Sequence, residues 1–157
     1  MKGNPTMTAK LNELLAEELT AINQYMVHSE MCDNWKYARL HKAIEKIAID
    51  EMKHAEKLIG RILFLEGIPT VSKLNPMNIG KSVEELLKND LASEGDAVPS
   101  YNAAIALANE VKDSGTRELL EHILEDEEGH TDWLEAQRDQ IAQMGIQNYL
   151  AQQLEEK

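Results

Sequence analysis

The sequence predicts an all-α protein: a four-helix bundle with a long crossover between its second and third helices and a short fifth helix at the end. Three observations lead there. Four long stretches repeat apolar residues at three- and four-residue steps, the period of a helix with one buried face. Leu, Ala, Glu and Lys, all good helix formers, dominate the chain. The pattern Glu-x-x-His occurs twice, at Glu51/His54 and Glu127/His130, so two helices each set a carboxylate and an imidazole on one face.

The first helix is expected from about Thr8 to Cys32, with Leu11, Leu14, Leu15, Glu18, Ile22 and Tyr25 on one stripe. Glu18 interrupts that apolar stripe, where a carboxylate is costly without a partner. Asp33-Asn34 signals a turn. The second helix runs from about Lys36 to Leu65 and is ended by Gly67 and Pro69. Its inward stripe is Ile47, Glu51, His54, Leu58, Ile62 and Leu65. A second apolar stripe, Ile49, Met52, Ile59 and Leu63, lies on roughly the opposite side, so this helix is expected to be covered on both faces.

Gly67 to Lys81, with Pro69, Pro76 and Gly80, is too long for a tight turn and reads as an extended crossover. Such a connection sets the third helix parallel to the second. That helix starts at Ser82, an N-cap with Glu85 three residues on. Its stripe is Val83, Leu86, Leu87, Asp90, Glu94, Ala97, Tyr101, Ile105 and Ala108, again with a glutamate inside it. Pro99 removes one backbone hydrogen bond and predicts a kink. Asp113-Ser114-Gly115 turns into the fourth helix, about Thr116 to Met144, with Leu120, Ile123, Glu127, His130, Thr131, Leu134 and Ile141 inward. Gly145 stops it, and Ile146 to about Gln153 reads as the fifth helix.

Four glutamates and two histidines therefore converge in one bundle. Glu51 follows Glu18 by 33 residues and Glu127 follows Glu94 by 33, so two helical hairpins each supply one Glu and one Glu-x-x-His. That donor set is the one that builds a di-metal carboxylate centre in a helix bundle. Carboxylate and imidazole without thiolate favour iron or manganese over structural zinc. Two divalent ions would balance four carboxylates in a dry interior. Without them, some of the acids are expected to protonate.

The bulk numbers agree. The 157 residues read as one domain, 1–157. A net charge of −12, from 28 acids against 16 bases, argues against a nucleic-acid surface and suits attraction of cations. There is no membrane span and no apolar leader, which gives a cytoplasmic protein as the expectation. The single cysteine, Cys32, rules out an intrachain disulfide and a thiolate cluster and reads as an inert thiol.

The segments Leu19–Tyr25, Ile49–Glu56, Arg61–Gly67, Asp126–Leu134 and Gly145–Leu150 resemble the bacterioferritins, over nearly the whole chain. The resemblance implies a haem-containing ferritin whose 24 subunits, built from dimers, form a shell that oxidises Fe(II) with oxygen or hydrogen peroxide and stores the ferric mineral. It implies two iron ions per subunit on Glu18, Glu51, His54, Glu94, Glu127 and His130, with Glu51 and Glu127 bridging and Tyr25 beside the centre. It makes Met52 the axial ligand of a b-type haem shared between two subunits, although Met52 alone reads as an ordinary interface residue. A reductase or ferredoxin is the implied partner for iron release. The chain departs from the pattern at Lys46, where many relatives carry a histidine that with Asp50 holds iron on the cavity wall, and at Ile47, where an acid is common. Trp133 reads as packing, and His28, His41 and His122 as surface or packing residues.

Overall fold

The structure, a computed structural model, describes residues 1–154. Four long helices, α1 (Pro5–Asn34), α2 (Ala38–Phe64), α3 (Val83–Glu110) and α4 (Ser114–Met144), are followed by the short α5 (Ile146–Ala151). Among the described residues there is no strand, and no helix is long and apolar enough to cross a membrane.

α1 begins at Pro5, not near Thr8, because Asn4 caps it: its Oδ1 accepts from the backbone N–H of Thr6 and Met7 at 2.9 and 3.1 Å. Proline at the first helical position forfeits an N–H that would have had no partner anyway. α1 also runs through the expected Asp33-Asn34 turn. The chain reverses two residues later at Lys36, in the left-handed region at φ 66°. That conformation lets the Tyr37 N–H reach the Cys32 carbonyl (2.9 Å) and delays the start of α2 to Ala38. Glu66 and Lys112 end α2 and α3 in the same way, at φ 61° and 59°. α3 passes through Pro99 without interruption.

α1 packs along α2, and α3 along α4; the two hairpins meet through α1 against α3 and α2 against α4. The crossover runs up the outside of α1, where polar side chains collect its backbone N–H groups. Thr70 N–H donates to Asn12, Asn75 N–H to Thr20, Asn78 N–H to Gln24 and Gly80 N–H to His28 Nε2, at 2.8–3.1 Å. The rising order of both sets fixes the direction of the crossover, so α3 starts beside the end of α1 and runs parallel to α2. Extended backbone with no sheet partner is thereby satisfied by side chains.

Two apolar clusters fill the bundle. One joins Leu11, Leu14, Leu58, Ile62, Leu120 and Ile123; the other joins Leu40, Ile44, Leu86, Leu87, Leu134 and Tyr149. Cys32 belongs to the second, and burial pushes its thiol up to about 12, so it is inert at neutral pH. Trp133 packs against the same cluster. The six site residues lie between the clusters, each 7% exposed or less.

Candidate metal centre

Each of the four long helices delivers its share: Glu18 from α1, Glu51 and His54 from α2, Glu94 from α3, Glu127 and His130 from α4. Their atoms form two overlapping groups. Glu18, Glu51, His54 and Glu127 bring one ligand atom each within 4.8 Å of one another, and so do Glu51, Glu94, Glu127 and His130. Glu51 and Glu127 are common to both.

The atoms converge on two points and not on one another. His54 Nδ1 lies 2.9 Å from Glu127 Oε1, 3.4 Å from Glu51 Oε1 and 3.6 Å from Glu18 Oε2. His130 Nδ1 lies 3.2 Å from Glu51 Oε1 and 3.6 Å from Glu94 Oε1. Yet both Nδ1 atoms, Glu18 Oε2, Glu51 Oε1, Glu94 Oε2 and both Glu127 oxygens are buried without a well-formed hydrogen bond. Buried polar atoms are normally satisfied. Six residues left unsatisfied around two shared points fit a pair of cations, with four donors to each.

The outer nitrogen of each ring is held from the opposite motif. His54 Nε2 is 2.8 Å from Asp126 Oδ2, and His130 Nε2 is 3.0 Å from Asp50 Oδ2. A carboxylate accepts, so Nε2 keeps a proton and Nδ1 faces the centre, where it ligates once it gives up its own proton, the arrangement of most metal-binding histidines. Asp50 and Asp126 immediately precede Glu51 and Glu127. Each Asp-Glu-x-x-His run thus supplies a ligand pair and orients the other run's ring. Asp50 is engaged here, in a groove that Lys46 and Trp133 also line, and Lys46 adds a cation in place of a further ligand.

Two tyrosines complete the ends. Tyr25 donates to Glu94 Oε1 at 2.5 Å, and Tyr101 donates to Glu18 Oε1. A cavity of about 130 Å³ lies beside the centre, lined by Glu18, Glu94, Glu127 and Tyr101 and, farther out, by Glu17 and the exposed Asp96. It gives a cation an acidic route from the surface.

Burial pushes the carboxyls of Glu18 and Glu127 up to about 7 and that of Glu94 up to about 8; Glu51 is raised by burial and by Glu18. Burial opposes charge on the rings, but the carboxylates around them outweigh it. They hold His54 far above the ordinary imidazole range and His130 up to about 11. The pocket thus retains protons that an entering cation must displace.

The six ligand candidates and Tyr25 are brought together as the sequence led one to expect. Met52 is not with them: it stands on the outer face of α2, 44% exposed, near Ile49 at 41%. His28 is fully buried, its Nδ1 2.8 Å from Asp90 Oδ1 and its Nε2 accepting from Gly80. His41 is half-buried and His122 is at the surface. Sequence reasoning passed over Asp126 and Tyr101. An aspartate on an exposed helix edge and a tyrosine in an apolar stripe are both ordinary, and only the fixed spacing of the two hairpins singles them out.

A family model described as a ferritin-like domain matches residues 8–144. A bacterioferritin of Brucella melitensis biotype 1 is 42% identical over 149 residues, 95% of this chain and 92% of its own. A bacterioferritin of Mycolicibacterium paratuberculosis is 42% identical over 152 residues, 97% and 96% of the two chains. A protein of Synechocystis sp. named bacterial ferritin is 42% identical over 155 residues, 98% and 99% of the two chains.

Proposed function

This chain belongs to the ferritin-like family, as a bacterioferritin, and from that premise we propose that it is a ferroxidase as well as an iron store. Fe(II) is the substrate. One ion is taken by Glu18 and His54, the other by Glu94 and His130, and Glu51 and Glu127 span both. The observation that carries this reading is the sharing of Glu51 and Glu127 by two four-donor groups. A shared pair of carboxylates holds two ions close enough to give up two electrons together. Two Fe(II) ions, one oxygen molecule and two protons yield two Fe(III) ions and hydrogen peroxide; with peroxide as oxidant, two Fe(II), one peroxide and two protons yield two Fe(III) and two waters.

The chain's own groups prepare that step. Asp126 and Asp50 keep the ring protons on the outer nitrogens. Tyr25 and Tyr101 each hold one oxygen of a terminal carboxylate. Protons held by the raised carboxyls of Glu18, Glu94 and Glu127 and by the two rings leave as cations bind, which keeps the loaded site near neutrality in a region of low dielectric. The acidic cavity draws Fe(II) inward.

The ferric product is mineralised inside a shell, which we take to be a 24-mer built from dimers, with residues 1–157 as one domain. A b-type haem is assigned to the outer face of α2, where Met52 stands exposed with Ile49 one turn away. Such a face suits an apolar macrocycle held by one thioether from each of two subunits. Bound there, a haem supplies one-electron transfer across the shell, which a reductase or ferredoxin would use to release iron. Substituting Glu94→Ala should abolish fast Fe(II) oxidation in stopped-flow absorbance while leaving assembly intact by size-exclusion chromatography. Wild-type oxidation rates in that variant would refute the assignment.

A further inference from the structure

We propose that Tyr101 is a positioning residue of the paired site, the counterpart of Tyr25, and that it acts on only one of the two metal positions. The proposal deepens the ferroxidase reading above and rests on it.

The site repeats itself along the chain at one interval. Glu94 stands 76 residues after Glu18, Glu127 after Glu51, His130 after His54 and Asp126 after Asp50. Tyr101 stands at the same distance from Tyr25. The contacts repeat crosswise, for the tyrosine of each half holds the glutamate of the other. Even the flanking bonds follow the rule: Gln24 donates to Ser93 at 3.1 Å and Ser100 to Glu17 at 2.8 Å, four positions that pair at the same interval. Tyr101 is 0% exposed and Tyr25 is 1% exposed, so each phenol is buried against the carboxylate it serves.

The two ends differ in what surrounds them. The Tyr25 end adjoins the buried His28–Asp90 pair, which Gln24 and the Gly80 N–H extend. The equivalent positions at the Tyr101 end are Ala104 and Leu14, both fully buried in the apolar cluster. Tyr101 also lines the cavity that leads in from the surface, whereas Tyr25 does not. At that end the phenol donates to Glu18 Oε1 and leaves Oε2 without a hydrogen bond. One carboxylate oxygen is thereby committed and the other is presented to the cation. Glu18 belongs only to the group containing His54, and Glu94 only to the group containing His130. Tyr101 therefore governs the His54 position and Tyr25 the His130 position.

Anaerobic Co(II) titration of the metal-free assembled protein, followed by visible absorption and equilibrium dialysis, tests this. The wild type should bind two Co(II) per subunit. Tyr101→Phe should weaken one of the two by roughly tenfold, the scale of a lost hydrogen bond to a charged group, and leave the other unchanged. The loss should persist in a Glu94→Ala background and vanish in a Glu18→Ala background, because a residue that acts through Glu18 has nothing left to hold there. Equal weakening of both ions, or the same loss in both backgrounds, would overturn the positioning role. Two tight Co(II) ions in Tyr101→Phe would overturn it as well. A wild type that fails to bind two Co(II) would instead overturn the paired-site reading beneath it.

Discussion

At the scale of single residues, the informative feature is a charged side chain where an apolar one belongs. Glu18 and Glu94 stood out in the sequence because Leu14 and Leu15, or Leu87 and Ala97, flank them on the same stripes. The histidines stood out because their spacing from Glu51 and Glu127 is fixed by the helix. Tyr101 and Asp126 could not be read in that way, since their roles exist only when α1 meets α3 and α2 meets α4. The acids also set a pH dependence. Glu18 and Glu127 are raised to about 7 and Glu94 to about 8, above the ordinary value of 4.5. Acids raised on folding stabilise fully below their unfolded pKa and lose that contribution as pH rises through the folded value. His130, raised to about 11, changes in the same direction above its ordinary 6.5. The metal-free protein should therefore melt at a lower temperature at pH 8 than at pH 5.5, and saturating Co(II) should reduce or reverse that trend. Calorimetry at the two pH values, with and without the metal, checks it; a metal-free protein more stable at pH 8 would show that the buried carboxyls are already ionised at the lower pH.

At the scale of elements, helix identity and inward faces were legible and boundaries were less so. The apolar period located all four helices. Asn4-Pro5 carried a start signal that the apolar stripe, beginning later at Leu11, obscured. The ends at Lys36, Glu66 and Lys112 lacked the glycine that normally marks a left-handed cap. The crossover was recognisable from Pro69, Pro76 and Gly80, but its attachment was not, because Asn12, Thr20, Gln24 and His28 look like an ordinary polar face until the loop lies on them. Gly80 is the tightest point of that attachment: a Cβ there would stand 2.3 Å from Leu86 N. Gly80→Ala must shift the backbone at the start of α3 and strain the bond to His28. A loss of at least about 1 kcal/mol is expected, with faster amide exchange over residues 75–80. Unchanged stability in urea denaturation would mean that the crossover adjusts freely.

At the scale of the whole molecule, the chain is two hairpins that repeat ligands, ring-orienting aspartates, tyrosines and even the left-handed lysines at their turns, Lys36 and Lys112. A paired site of near-twofold character follows from that repetition. The departures from it, the His28–Asp90 pair and the open cavity, distinguish its ends. Outside the bundle, the exposed face of α2 with Ile49, Met52 and Leu63 is too apolar to be left to water alone. The sequence showed that face as a second apolar stripe on the helix. If Met52 holds haem between subunits, Met52→Leu, which conserves volume, should remove the haem absorbance while Fe(II) oxidation continues at close to the wild-type rate. Retained haem would place the ligand elsewhere.

The central claim is that one subunit oxidises iron in pairs. It is tested most directly by adding Fe(II) in steps to iron-free protein in air and recording the amplitude of the fast ferric absorbance. The amplitude should rise linearly and saturate at two Fe(II) per subunit. Saturation at one, or a rise without a break, would contradict a centre in which Glu51 and Glu127 serve two ions at once.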